Sequence, residues 1–270
     1  MIDLGGKTYL VYETIDVIKK DDVSTITMKR PEFHNAMNEK LMKELTDFFK
    51  KISRDNKTKI IVLTGAGKSF SAGADLNWMK SMAEYTMEEN IQDSRLLLNL
   101  YESIYNCPKP VIGRINGHAF GGGVGLIAVC DITIGIPNKK YAFSEVNLGI
   151  IPSVISTYIV RRIGLANMRR LFLTGERFTS EYAEKIGLID FVVPEENLDK
   201  EIQKNIEFLR SSGEKAMGEV KKLVDSCEKF DREKYKEYTV KKISELRISD
   251  EGQEGIKAFL EKRKPSWRND

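Results

Sequence analysis

The chain has 270 residues, 41% of them hydrophobic and 31% charged, a composition that is ordinary for a folded globular protein. Its 43 Lys and Arg are nearly balanced by 40 Asp and Glu, so the net charge of +3 is too small to indicate a nucleic-acid partner. Three scattered cysteines argue against a disulfide framework or zinc site, and no apolar run or signal-peptide pattern indicates a membrane, so we expect a cytoplasmic protein.

The first third of the chain predicts alternating strands and helices. Short β-rich runs around a polar turn predict a hairpin over residues 10–29. Asn38 is the expected N-cap of a helix, because apolar residues recur at helical spacing over 41–52. The apolar run 60–63 predicts a buried parallel strand, and residues 86–106 predict another helix.

The same alternation continues in the middle of the chain and then stops. A strand is predicted over 110–115, a glycine turn at 121–123 that leads into an apolar helix, and a further strand over 131–136. Alternating segments of this kind indicate an α/β core. Charged amphipathic helices follow, so we divide the chain into a catalytic core, 1–195, and a helical region, 196–270.

Two glycine-containing segments could present backbone N–H groups to a ligand. Glycines at the start of a helix let the main chain approach closely, and the first N–H groups of a helix have no partner within it. Gly121-Gly122-Gly123 therefore suits an oxygen that becomes negative during a reaction, although a tight strand-to-helix turn is the alternative. Ala72-Gly73-Ala74 could supply a second N–H, and spacing alone does not show whether the two converge.

Motifs along nearly the whole chain point to one family. They are Arg30-Pro31 with Asn35-Ala36, the run from Phe70 to Leu76, Asn116 to Gly123, Cys130-Asp131, Leu148 to Pro152, Leu173 to Arg177, and Glu254 to Phe259. In this order they resemble the crotonase (enoyl-CoA hydratase/isomerase) superfamily. The resemblance implies an α/β fold built as a spiral of ββα units. It also implies C-terminal helices that form a homotrimer or a dimer of trimers, and an acyl-CoA substrate without a metal or other cofactor.

The resemblance further implies which residues contact the substrate. The thioester carbonyl oxygen is expected between the backbone N–H groups of Ala74 and Gly122. Further contacts are expected at His34 (CoA phosphates), Ala72, Asp75 and Leu76 (adenine), Gly125 and Ser153 (substrate), and Phe259 or Lys262 (closure of the pocket).

The catalytic carboxylates are where this chain departs from the family pattern. Hydratases of the family use two glutamates, and here Glu145 occupies the second position while Gly125 stands at the first. Burial would raise the pKa of Glu145 toward the range that is useful for proton transfer, unless it is an ordinary surface carboxylate. Gly125 could open volume above the thioester for a bulkier or carboxylated acyl group, or permit close helix packing, and both can be true.

Several reactions remain open with one glutamate. An isomerase needs only Glu145, a hydratase could use Glu145 with a substitute proton donor, and a decarboxylase relies mainly on the oxyanion hole. A non-catalytic acyl-CoA-binding protein is a further alternative. The runs 71–80, 121–126 and 144–156 look most like bacterial 3-methylglutaconyl-CoA hydratases of leucine breakdown. We therefore predict a hydro-lyase that acts on a branched acyl-CoA.

A distal carboxylate on such a substrate would need a cation, and four residues are open candidates that could equally be surface charges. They are Lys80, Arg95, Arg161 and Arg162. Trp78 and Met79 are expected either to line the acyl pocket or to pack in the core. His118, beside the glycine turn, is expected to be structural, with its ring bonded to the backbone.

Overall fold

A computed structural model describes residues 2–3, 8–9 and 12–268, and the side chains from residue 12 onward. The strands in chain order are β1 (Ile2–Asp3), β2 (Thr8–Tyr9), β3 (Ile15–Lys20), β4 (Val23–Met28), β5 (Ile60–Gly65), β6 (Ser69–Ser71), β7 (Val111–Ile115), β8 (His118–Phe120), β9 (Ile132–Gly135), β10 (Lys140–Ala142), β11 (Phe178–Thr179) and β12 (Phe191–Val192). The helices are α1 (Glu39–Ile52), α2 (Leu76–Met82), α3 (Met87–Tyr105), α4 (Gly122–Ala128), α5 (Ser156–Thr174), α6 (Ser180–Lys185), α7 (Leu198–Arg210), α8 (Glu214–Lys229), α9 (Arg232–Arg247) and α10 (Asp250–Leu260).

The predicted hairpin and first helix form as expected. β3 and β4 pair antiparallel from Ile15 with Met28 to Lys20 with Val23; residues 10 and 11, where the predicted hairpin began, lie outside the described residues. Asn38 caps α1, because its side-chain oxygen accepts a hydrogen bond of 2.9 Å from the Leu41 N–H.

The strands that follow, together with β3 and β4, form two larger sheets. The six-stranded sheet has the order β12-β9-β7-β5-β4-β3 and is parallel from β12 to β4. The four-stranded sheet has the order β11-β10-β8-β6, and its strands β6, β8 and β10 are parallel. Successive pairs, β5 with β6, β7 with β8 and β9 with β10, each give one strand to each sheet, so the chain winds between them as a spiral.

The chain divides into two compact units, residues 1–107 with 111–202 and residues 108–110 with 203–270. The first holds both larger sheets and the hydrophobic core. In the second, the Glu251 carboxylate accepts hydrogen bonds from the Lys215 and Ala216 N–H groups at the start of α8. The functional boundary predicted near residue 195 stays a prediction. Among the described residues, no helix is long and apolar enough to cross a membrane.

Candidate active site

The candidate site lies where three parallel strands of the four-stranded sheet end. β8 pairs with β6 on one side and with β10 on the other, matching Ala119 with Ser71 and Phe120 with Ala142. Ligands in open α/β sheets commonly bind outside the carboxyl ends of such strands. The segments that leave these three ends contain Ala74, Gly122 and Glu145, so the sheet brings together the three residues that were predicted to carry the chemistry.

Main-chain hydrogen bonds hold the loop after β6, and one N–H group of the loop takes no part in them. The Met37 N–H donates to the Gly73 oxygen at 2.6 Å, and the Asp75 N–H donates to the Met37 oxygen at 2.9 Å. The Ala72 N–H is also used, by the His34 oxygen at 2.9 Å. The N–H of Ala74 makes no hydrogen bond within residues 12–268, and it therefore remains able to bind a ligand.

The start of α4 offers the second donor beside that loop. Gly122 is the first residue of α4, so its N–H has no acceptor within the helix. A β-carbon placed on Gly73 would lie 2.6 Å from the Phe120 oxygen and 3.6 Å from the Gly122 nitrogen, so only glycine allows this close approach. Two donors on touching segments can stabilise a carbonyl oxygen that gains negative charge.

Glu145 lies in a 3-10 turn, Ser144–Leu148, directly after β10. A β-carbon on Gly121 would be 2.9 Å from its Oε1 atom, so the carboxylate is next to the start of α4. Its Oε2 atom is buried and has no hydrogen-bond partner in the described part of the chain. Burial raises the pKa of Glu145, against a smaller opposing effect of its own backbone N–H. These properties suit a group that accepts and returns a proton.

Gly125 does not open space for the substrate, which corrects one of the two interpretations of this residue. A β-carbon at Gly125 would lie 2.3 Å from Ile155 Cγ2 and 2.9 Å from both Cζ and the hydroxyl oxygen of Tyr101. The volume that a side chain would take is filled by these two residues. The close-packing interpretation is the one that the structure supports.

The structure also identifies residues that the sequence analysis missed. Tyr101 is fully buried, and its hydroxyl donates a hydrogen bond of 2.8 Å to the Gly122 oxygen. Met37 holds the Gly73 loop and also approaches α4, since a β-carbon on Gly122 would be 2.5 Å from Met37 Cε. Tyr101 lies on the apolar face of α3, and Met37 lies just before α1. From sequence alone, residues at such positions are assigned to the hydrophobic core, because the sequence does not show which groups they contact.

Asp75 has a structural role that limits its predicted contact with CoA. Its carboxylate pairs with Arg30 at 2.8 Å and caps α2 by accepting from the Asn77 and Trp78 N–H groups. Burial alone would raise the pKa of Asp75, but these hydrogen bonds outweigh it and lower the pKa. The predicted contact of Asp75 with adenine stays a prediction. Because the carboxylate is already bonded to Arg30 and to α2, the main chain of Asp75 would have to make that contact.

The other predicted contact residues are more dispersed. His34 lies next to Ala72, and its Nδ1 is 3.0 Å from Ser69 Oγ. Leu76 is 75% exposed at the start of α2, and Ser153 is exposed in the turn before α5. Phe259, near the end of α10, and Lys262, two residues after that helix, belong to the second unit. Their contacts with CoA stay predictions.

His118 has the structural role that was expected for it. Its Nδ1 accepts a hydrogen bond of 2.9 Å from the Lys140 N–H, which joins β8 to β10, and its ring stacks on Phe120. Burial, with a contribution from Lys139, lowers the pKa of His118 and so favours the neutral ring, in which the accepting Nδ1 leaves the proton on Nε2. The prediction of a ring bonded to the backbone is confirmed.

A cavity of about 600 Å³ lies among α1, α2 and α3. Trp78 and Arg95 are among its lining residues, and Trp78 also packs against the core and donates to Asp93 at 2.8 Å. Of the other candidate cations, Arg162 pairs with Asp190 and Arg161 bonds the Tyr105 hydroxyl. Of these three cations, Arg95 is therefore the one that lines the cavity.

The chain is similar to known enoyl-CoA hydratases over nearly its whole length. A family model described as enoyl-CoA hydratase/isomerase matches residues 19–270. A probable mitochondrial enoyl-CoA hydratase of Dictyostelium discoideum is 32% identical over 252 residues, 93% of this chain and 89% of that protein. A crotonyl-CoA hydratase of Syntrophomonas wolfei is 30% identical over 260 residues, 96% of this chain and 99% of that protein. The crystal structure of an enoyl-CoA hydratase from Shewanella pealeana is similar with a TM-score of 0.91 and 36% identity, covering 94% of this chain and 96% of that one.

Proposed function

Because the chain belongs to the enoyl-CoA hydratase/isomerase family and is an enzyme of that family, we propose that it adds water to the double bond of an α,β-unsaturated acyl-CoA. The family resemblance and the crotonase-like α/β fold that the motifs predicted are confirmed. The proposed reaction moves protons and an oxygen without net oxidation, so the CoA thioester is the substrate and no redox cofactor is required.

The observation that carries the proposal is the Glu145 carboxylate against Gly121, the residue before the N–H of Gly122 that has no acceptor within α4, with one carboxylate oxygen buried and without a partner among residues 12–268. In the proposed reaction, Glu145 takes a proton from water as the water oxygen bonds to the β-carbon. The electron pair of the double bond moves to the α-carbon and the thioester, and the N–H groups of Ala74 and Gly122 stabilise the resulting enolate oxygen.

The second proton transfer is proposed to use the same carboxylate. Tyr101 and Ile155 fill the volume that a glutamate side chain at position 125 would need. The other glutamate of family hydratases is therefore absent here, and there is no space for one at this position. Glu145, now protonated, returns the proton to the α-carbon, and the sum of the steps is one water molecule added. A raised pKa favours this role, because the protonated form is then reached more easily.

The finer proposal is a branched acyl group with a distal carboxylate, similar to 3-methylglutaconyl-CoA. Arg95 is its proposed partner, since it lines the cavity that Trp78 borders at the start of α2. Of the four carboxylates in the same lining, Glu39 pairs with Lys43 and Asp93 has a pKa raised by burial, whereas Glu88 forms no ion pair within residues 12–268 and the capping bonds of Glu89 lower its pKa. The ion pair of Glu39 and the raised pKa of Asp93 reduce the negative charge that an anionic acyl end would meet at two of these four positions.

A substrate panel in ¹⁸O-labelled water tests the reaction class. Crotonyl-CoA, a 3-enoyl-CoA and 3-methylglutaconyl-CoA are each incubated with the enzyme and with Glu145→Gln. Labelled 3-hydroxyacyl-CoA from the wild type, reduced about 100-fold or more in the variant, is expected for hydration. Unlabelled conjugated product from the 3-enoyl-CoA identifies an isomerase instead, and tight binding without turnover identifies a non-catalytic acyl-CoA-binding protein.

Arg95→Met tests the acyl group. The KM for 3-methylglutaconyl-CoA is expected to rise about tenfold or more, because a charged hydrogen bond is lost, while the KM for crotonyl-CoA is unchanged. Lys80→Met is the matched control, since Lys80 is exposed and is not part of the cavity lining. Equal effects on both substrates would contradict the assignment. The trimer or dimer of trimers and the cytoplasmic location stay predictions.

A further inference from the structure

The hydroxyl of Tyr101 contacts the helix that presents the Gly122 N–H to the candidate oxyanion hole. Tyr101 has no solvent exposure, and within residues 12–268 its hydroxyl has the Gly122 carbonyl oxygen as its hydrogen-bond acceptor at 2.8 Å. The same oxygen atom would be 2.9 Å from a β-carbon on Gly122 and 2.9 Å from one on Gly125. It therefore lies against the first turn of α4, between the two glycines.

That turn has little stability of its own. α4 is seven residues long, three of them are glycine, and its N-cap Gly121 supplies no side-chain hydrogen bond. Glycine in a helix interior is destabilising because it loses more backbone entropy than other residues. A donor of an oxyanion hole must nevertheless be held in a fixed direction to be effective. Within the turn, the Gly121 oxygen, which shares a peptide unit with the Gly122 N–H, accepts from the Val124 N–H at 2.9 Å. A contact from outside the helix can add to this single short bond.

We propose that Tyr101 is a positioning residue for the reaction: its hydroxyl holds the Gly122 carbonyl and so restricts rotation at the Gly122 Cα, which joins that peptide unit to the preceding one with the Gly122 N–H. The inference rests on the proposed function, because it assigns that N–H to the thioester oxygen. The tyrosine also occupies the space opposite Gly125, so one side chain both orients the hole and replaces the volume of the absent carboxylate.

The ionisation of Tyr101 is compatible with this role. Burial, then the nearby Glu145 carboxylate, then Tyr158 raise the pKa of Tyr101 well above its usual value, so the hydroxyl keeps its proton across the working range of pH. A group that stays protonated can donate steadily to the Gly122 oxygen. It is a poor source of the proton for the α-carbon, which is left to Glu145.

Tyr101→Phe, which removes one oxygen atom, is the test, and Tyr158→Phe is the matched control. The ring of Tyr158 packs on Tyr101 with 5.9 Å between centroids, but its hydroxyl donates to Glu102 rather than to α4. Each variant is compared with the wild type by kcat, KM and the infrared stretch of a ¹³C-labelled thioester carbonyl in bound crotonyl-CoA. Spectra are taken where circular dichroism and thermal unfolding show that the variant is fully folded.

Outright loss of one oxyanion donor costs about 100- to 1000-fold in kcat, so a misdirected donor is expected to cost less, about tenfold. In Tyr101→Phe we expect that fall in kcat, a KM within about threefold of the wild type, and a carbonyl stretch shifted back toward its value in solution. Tyr158→Phe should leave all three unchanged. A carbonyl stretch unchanged in Tyr101→Phe, or shifted equally in Tyr158→Phe, would overturn the inference.

The carbonyl spectrum also separates this inference from the proposed function. It reports polarisation of a bound thioester and requires no turnover. A wild-type protein that polarises the carbonyl, loses this in Tyr101→Phe and yet adds no water would contradict hydration and support the role of Tyr101. A wild-type protein that hydrates crotonyl-CoA without shifting the carbonyl stretch would overturn the role of Tyr101 and leave hydration standing.

Discussion

The carboxylate of Glu145 lies directly against Gly121, so that a β-carbon on the glycine would be 2.9 Å from Oε1 and 3.4 Å from Cδ. Gly121 has φ 48° and ψ −124°, a conformation that residues with a β-carbon rarely adopt. The hydrogen bond from the Gly121 N–H to the Ala142 oxygen, 2.9 Å, fixes this contact, because Ala142 ends the strand that leads to Glu145. The backbone of one segment thus sets the position of the acid on the other.

Gly121→Ala should therefore impair catalysis more than folding. The added methyl group must displace the Glu145 carboxylate, and we expect kcat to fall about 100-fold, the scale of a lost acid–base group. The backbone strain alone should reduce the free energy of unfolding by about 1–3 kcal/mol. Gly164→Ala is the control for strain, since Gly164 has φ 71° and nothing lies within 4 Å of its added β-carbon. Equal kcat values in the two variants would show that the contact with Glu145 is unimportant.

Glu145→Gln should be at least as stable as the wild type at neutral pH. The folded-state pKa of this carboxyl is raised, so its contribution to stability is fully present below the unfolded pKa and is lost as pH rises through the folded value. The neutral amide avoids that loss, and a gain on the order of 1 kcal/mol is expected near pH 7. Urea unfolding at several pH values measures it, and the gain should vanish in acid. A glutamine variant less stable than wild type at pH 7 would indicate that the ionised carboxylate has a partner.

Asp75→Asn should destabilise the protein by about 3–5 kcal/mol, because it leaves the guanidinium of Arg30 buried without its charge partner. Arg30 is 9% and Asp75 4% exposed, and asparagine retains the ability to cap α2. Chemical denaturation measures the loss. Glu233→Gln, which removes an exposed ion pair with Lys236, should change stability by less than about 1 kcal/mol. Similar losses in the two variants would contradict a structural role for the buried pair.

Gly125→Ala should destabilise the protein by about 1–3 kcal/mol through overpacking against Ile155 and Tyr101. If Gly125 opened the acyl pocket instead, this variant would be stable and would only change the preference among acyl groups. A double variant with Ile155→Ala provides a second check, since the loss of the contacting methyl should make the two effects clearly less than additive. Additive losses would mean that the two positions do not compete for the same space.

The sequence predicted the elements that have a repeating pattern. α1 has apolar residues at helical spacing after a capping Asn38, and β3 and β4 flank a polar turn. The positions of the helix and of the hairpin could therefore be predicted within a few residues. β6, β8 and β10 were not predicted, because three residues next to glycines or turns are too short to show a period. These short strands nevertheless determine where the site lies.

The candidate site was predicted in part for the same reason. Glu145, Ala74 and Gly122 were identified because a family motif surrounds each of them. Tyr101 carries no motif, and its partner Gly122 is distant in sequence, so only the folded geometry reveals its hydrogen bond. The packing at Gly125 on α4 likewise involves Tyr101 on α3 and Ile155 in the turn before α5. A single segment of the sequence does not show such a contact.

The central place of β8 has a consequence for folding kinetics. Ser71, Phe120 and Ala142 are neighbours only when β6, β8 and β10 have all paired, and these contacts close loops of tens of residues. Parallel pairing over such separations is slow, because the entropy of loop closure is lost before the contacts form. The capacity to polarise a bound thioester should therefore return with the last refolding phase of the first unit, later than the far-ultraviolet signal of helices such as α1.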